Sequence, residues 1–194
     1  MGRKNSFTVI FFLVSLIFLA VAALNGAAAR QTREMEVVQM ARVVAAGTMM
    51  SIKSESFGMN EYIPVEFSCK GRDKSPPLLV ENVPRGAKSL ALIMDDPDAP
   101  AGTWVHWVLW DIPPGTRKIE AGSAPAGAVP GVNSWGKPGY GGPCPPSGVH
   151  RYFFKLYALD TRLSLGRGAG KRELEAAMRG HIIARAELLG LFKK

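Results

Sequence analysis

Histidine and cysteine are scarce in this sequence, with three of the first and two of the second among 194 residues. Two cysteines cannot furnish a structural zinc site, and no H-E-x-x-H spacing sets two histidines on one helix face. The G-x-S-x-G turn of serine hydrolases is absent, and Cys144 sits between prolines with no base beside it in sequence. The net charge is +8, yet no run of five basic residues occurs. Such a dispersed surplus belongs to a solvated surface, which argues against nucleic-acid binding. There is no internal repeat, and a hydrophobic content of 47% excludes wholesale disorder.

Charge is missing from one long stretch. After Arg3 and Lys4 no charged residue occurs until Arg30, residues 7–24 are almost wholly apolar, and Ala27-Ala28-Ala29 supplies the small residues an export peptidase needs. Residues 1–29 are expected to be a signal peptide. The alternative is a membrane anchor through residues 7–24, because the run approaches the length of a bilayer span. In both cases the rest of the chain is carried across a membrane, to a periplasmic or secreted location, and membrane contact is confined to this segment. No cysteine follows the run to accept a lipid. Residues 30–50 are weakly patterned and read as a linker, leaving one domain over residues 51–194. In an oxidising compartment Cys69 and Cys144 can pair across a long loop.

The domain reads as strands separated by turn chemistry. Residues 62–67 are strand-like, with Pro64 suggesting an edge. Residues 89–94 form an apolar run that ends at Asp95-Asp96-Pro97-Asp98. Residues 104–112 are apolar on both faces and predict a strand covered on both sides, and residues 150–159 predict a third strong strand. Glycine and proline crowd residues 121–148, too long a structureless stretch to be idle in a compact domain. Helical spacing enters only over residues 171–189, where Leu174, Met178, Ile182, Ala186 and Leu189 recur, with Gly180 a break point. The pattern predicts a mainly β fold with a short C-terminal helical segment.

Polar residues in or beside buried strands carry the most information. Asp96 and Asp98 close one strand, His106 lies inside another, and His150 opens a third with Tyr152 on the same face by the period of two. Singly, each is an ordinary core histidine or turn aspartate. Together, beside a Gly/Pro loop that ends at His150, they suggest a site.

Three blocks, Asp96-Pro97-Asp98-Ala99-Pro100, Trp104-Val105-His106-Trp107 and residues 142–152 (GPCPPSGVHRY), resemble the signature of the phosphatidylethanolamine-binding protein family. The likeness is strongest to its bacterial and archaeal, Raf-kinase-inhibitor-like branch, and extends to residues 67–71, 75–78 and 180–182. The resemblance implies a two-sheet antiparallel β-sandwich with a small anion pocket at one end. Its implied ligand-binding residues are Asp96, Asp98, His106, Gly142, Pro143, His150 and Tyr152, with no metal, cofactor or catalytic residue. It also implies that Cys69 and Cys144 approach one another near the pocket. The segment between Pro100 and Trp104 is shorter than in the animal proteins, so the resemblance alone does not carry over a phospholipid or kinase role.

The expected function is that of an exported binding protein for a small anionic or phosphorylated ligand, acting as an inhibitor or docking partner of a protease or kinase, and not an enzyme. Imidazole N–H groups and the amides of residues 142–148 would donate to anion oxygens, and a carboxylate close to a histidine would raise its pKa. The alternative is a metal-dependent hydrolase using the Asp/His cluster, since these are the ligand types of zinc and iron sites.

Overall fold

A computed structural model describes residues 49–194, together with residues 30, 31 and 33–35. The chain divides into two units, Met1–Thr48 and Met49–Lys194. In the first unit the described residues are helical. The expected signal or anchor, and most of the expected linker, lie outside the described residues. No helix among the described residues is long and apolar enough to cross a membrane.

The second unit is built on β4 (Ser89–Asp96), all eight residues of which are buried. Its neighbours are β5 (Trp104–Ile112) and β8 (Val149–Leu159), both antiparallel to it. Burial on both faces explains why β4 reads as a continuous apolar run. Leu90, Leu92 and Met94 face one core, shared with β1 (Ser51–Ser54), β3 (Leu78–Glu81) and β6 (Lys118–Ile119) through Ile52, Leu78, Val80 and Ile119. Those three strands form the small second sheet, in the order β1-β3-β6. Ala91 and Ile93 face a second core with Val108, Trp110, Leu174 and Met178, under the helix α1 (Lys171–Met178). The large sheet has six strands, β2-β9-β8-β4-β5-β7, with β2 at Glu61–Tyr62, β7 at Val129–Pro130 and β9 at Ile182–Lys193. All pairs are antiparallel except β2 with β9, which is parallel.

Two local expectations are corrected. The segment 62–67 is not one strand: β2 stops at Tyr62, and beyond Pro64 the chain turns through a 3-10 helix, Val65–Phe67. The tail is helical only to Met178. Gly180 then takes φ 80°, a left-handed conformation that suits glycine, and β9 pairs with β8 from Ile182 to Lys193. Leu174 and Met178 are true helical neighbours. Ile182 and Ala186 fit the same spacing only because a step of four is also two periods of a strand. In β9 the even residues Leu188, Gly190 and Phe192 are buried, while Arg185 and Glu187 are exposed.

Asp95 faces away from Asp96 and is buried, with 1% of its side chain exposed. Lys155 Nζ donates to both of its oxygens at 2.8 and 2.9 Å, and Lys171 Nζ donates to Oδ2 at 2.6 Å, fastening α1 to the sheet. Both ammonium groups still reach water, so loss of the pair costs less than for a fully buried one. Asp95→Ala is expected to lower stability by about 2 kcal/mol, read as a shifted urea midpoint. An unchanged midpoint would contradict this role for the carboxylate.

Candidate functional site

The site lies at one end of the large sheet, where β4 and β8 leave polar residues at their tips. Asp96, the last residue of β4, accepts from His150 at Oδ2 over 2.7 Å. Both side chains are almost fully buried. Oδ1 of the same carboxylate accepts from the Asp98 amide at 2.8 Å, which closes the turn after the strand.

His106 is placed by a bulge. The β4–β5 register moves from Met94↔Trp107 to Asp95↔Val105, so His106 has no ladder partner. An extra residue of this kind bends a strand and re-aims its side chain. His106 thereby meets Tyr152 edge-on, ring centroids 5.1 Å apart, although strict alternation would set it opposite Trp107. Its Nδ1 lies 2.7 Å from the Gly141 carbonyl and its own carbonyl accepts from Gly141 N at 2.9 Å. A carbonyl oxygen can only accept, so Nδ1 carries the proton, and the neutral ring offers a lone pair at Nε2. Burial pushes the His106 pKa below its ordinary value, outweighing the Gly141 carbonyl and the Asp96 carboxylate, which raise it. The upward shift expected of a histidine near a carboxylate is therefore reversed at His106.

The stretch between β7 and β8 has no strand period because side chains take over the work of a ladder. Buried Asn133 accepts from the amides of Trp135 and Lys137 at 3.0 and 3.3 Å and donates to the Gly139 carbonyl at 3.1 Å. Ser134 joins the open edge of β5, its Oγ accepting from Val105 N and its amide donating to Val105 O. The turn projects Trp135 over the site, against Trp104 at 5.4 Å and His106 at 5.1 Å between ring centroids. Gly141 lies directly beneath that indole: a Cβ there would come within 2.6 Å of it.

These elements enclose a cavity of about 530 Å³. Asp96, His106, His150 and Gly142 line it. So do Trp104, Trp135, Tyr140, Pro100 and Pro138, which make the walls largely apolar, and Lys137 is the only lysine or arginine among the lining residues. Among the described residues the Lys137 ammonium has no ion-pair partner. Cys69 and Cys144 also line the cavity; they are joined in a disulfide with Cα atoms 5.5 Å apart.

Three residues expected at the site do not line the cavity. Asp98 instead binds Arg151, accepting from Nη2 at 2.7 Å and Nε at 2.9 Å, and these bonds hold its carboxyl below the usual range. Pro143 is buried and accepts from Cys69 N. Tyr152 lies inside the core with its hydroxyl buried and without a partner in good geometry. Burial, and next the Asp96 carboxylate, raise its pKa, against an opposing effect of the Cys144 backbone. The Gly142 amide, expected to face a ligand, donates to Asp73 Oδ1 at 2.7 Å. Sequence reasoning missed Asp73, Asn133, Trp135, Lys137 and Tyr140. For Trp135 the available signal was compositional, an aromatic in a stretch with no apolar period; Tyr140 instead packs against the core beside Trp107. Among the described residues no three His, Cys, Asp or Glu side chains are grouped to hold a metal.

A family model described as phosphatidylethanolamine-binding protein matches residues 53–193. The chain is 51% identical over 150 residues to a UPF0098 protein of Methanothermobacter thermautotrophicus, covering 75% of this chain and 99% of that one. A UPF0098 protein of Aquifex aeolicus is 47% identical over 157 residues, covering 77% and 92%. Among solved structures, a phosphatidylethanolamine-binding protein homologue from Chlamydia trachomatis superimposes with a TM-score of 0.73 at 44% identity, over 76% of this chain and 99% of that one. E. coli YbcL, described as a member of the mammalian family, gives 0.71 at 30% identity, over 75% and 98%.

The lowered pKa of His106 has a measurable consequence. The unfolded chain takes up a proton near pH 6.5, whereas the folded ring resists it, so this contribution to stability is present above pH 6.5 and is lost as the pH falls through the lower folded value. His106→Asn, whose amide nitrogen stands near the position of Nδ1, is expected to flatten the decline of melting temperature between pH 7 and 5. An NMR titration placing the wild-type ring midpoint above 6.5 would refute it.

Proposed function

Because the chain belongs to the phosphatidylethanolamine-binding protein family, we propose that its end cavity binds a small ligand through phosphate or carboxylate oxygens. The observation that carries this is the buried Asp96–His150 pair at the cavity floor, with Lys137 at the rim and without an ion-pair partner among the described residues. His150 spends Nδ1 on Asp96, which fixes the ring and leaves Nε2 for the ligand. With the ring protonated, Nε2–H donates to an anion oxygen, and the carboxylate behind it offsets the cost of a buried imidazolium. The Lys137 ammonium supplies the second charge. His106, kept neutral, serves as an acceptor for a protonated ligand oxygen and not as a second cation. Trp104, Trp135 and Tyr140 give the rest of the ligand an apolar wall, and the cavity size suits a small molecule.

Binding fits these walls better than covalent chemistry. Among the described residues no serine or threonine lines the cavity, and both cysteines there are spent in the disulfide. We place this activity outside the cytoplasm. The charge-free run before Arg30 supports that, as does the disulfide, which persists best in an oxidising compartment.

Calorimetric titration with inorganic phosphate and with acetate tests the reading. His150→Asn keeps a donor toward Asp96 but removes Nε2, and it is expected to weaken binding by about 1–3 kcal/mol without lowering the melting temperature appreciably. Lys137→Ala should weaken binding by about 1 kcal/mol and reduce its salt dependence. Equal affinity in the wild type and both variants, or no binding by the wild type, would sink the proposal.

A further inference from the structure

We propose that the Cys69–Cys144 disulfide is a reducible latch on the cavity wall, so that a dithiol reductant loosens the wall and weakens ligand binding; the second half rests on the ligand reading above. Both cysteines are exposed, and both line the cavity. The wall is made where residues 67–73 meet residues 140–148. Three hydrogen bonds join the two stretches: Tyr140 OH to Phe67 O at 2.6 Å, Gly142 N to Asp73 Oδ1 at 2.7 Å and Cys69 N to Pro143 O at 3.2 Å. All three lie at or before Pro143.

Beyond Pro143 the tether changes. Among the described residues, 144–147 make no hydrogen bond of good geometry, the Cys144 backbone only approaching the Tyr152 hydroxyl. The next fixed point is Lys194 N donating to Gly148 O at 3.1 Å. The disulfide and the buried ring of Pro145 are therefore what hold this stretch against the cavity. Breaking the covalent bond loosens the long Cys69–Pro143 bond beside it and leaves the Asp96–His150 pair and the bonds made by Tyr140 and Gly142 in place, so the effect is local.

The exchange is balanced. A thiolate of the dithiol attacks one sulfur of the cystine, forming a mixed disulfide and expelling the other cysteine as a thiolate. The second thiol of the reductant then attacks its own mixed-disulfide sulfur, closing a disulfide within the reductant and releasing the second cysteine. The dithiol is oxidised by two electrons, the cystine is reduced by two, and the reductant's protons end on the two cysteine thiols.

Hydrogen–deuterium exchange of the full-length chain, oxidised and after dithiothreitol, reads the latch, and calorimetric titration of both forms with inorganic phosphate reads its effect. The expected result is faster exchange at the amides of Cys69 and Lys194, whose acceptors are the Pro143 and Gly148 carbonyls at the two ends of the freed stretch, unchanged protection in β4 and β8, and phosphate affinity at least about fivefold weaker, recovered on reoxidation. The double variant Cys69→Ser, Cys144→Ser should behave as the reduced protein without reductant. Three results overturn the latch: unchanged exchange after complete reduction, a bond that dithiothreitol cannot reduce in the folded protein, or loss of protection throughout the sheet. Faster exchange with unaltered affinity overturns its coupling to the site. If the oxidised protein takes up no phosphate, the ligand reading fails, and the exchange data alone decide the latch.

Discussion

Asp96 and His150 are 54 residues apart in sequence and 2.7 Å apart in space, and the organisation of the site follows from that contact. It joins the end of β4 to the beginning of β8, two strands that pair along seven registered positions. A carboxylate so deeply buried needs donors, and it has two, one from the imidazole and one from the Asp98 amide. The first presents His150 to the cavity. The second shapes the turn whose Ala99, Pro100 and Ala101 form part of the mouth. Asp98 clamps the turn to Arg151, one residue beyond His150.

Consecutive aspartates at the end of one strand divide the labour between the two faces of the sheet. Asp95 serves the face under α1, where two lysines neutralise it, and Asp96 serves the cavity end. Alternation makes this division automatic as long as the strand continues to its last residue. On β5 the same alternation would misplace His106, and the bulge corrects it.

The long glycine- and proline-rich stretch is ordered by a different device. Asn133 stands in for a strand partner, and the resulting turn carries Trp135 and Lys137 to the cavity while Gly141 meets His106 with both of its backbone groups. The site thus combines a floor on rigid strands with a wall on loops. The wall depends on few contacts, and the disulfide is the strongest of them.

By itself the sequence determined the three central strands, their burial on both faces and the polar residues at their ends, because apolar runs and period-two patterns are local properties of the chain. Asp96, His106 and His150 were legible for the same reason: each is polar in an apolar setting. What only the tertiary structure decided depends on which distant groups meet. The tail after Gly180 became a strand because β8 offered an open edge to pair with, and four-residue spacing cannot distinguish that outcome from a helix. Tyr152 went into the core and Asp98 to Arg151 because packing and a bidentate partner, not position along the strand, fixed their surroundings. Trp135, Lys137 and Tyr140 came to the cavity through hydrogen bonds of Asn133 and Phe67 that leave no period in the sequence, since side-chain-to-backbone bonds depend on the folded path of the loop and not on its residue pattern.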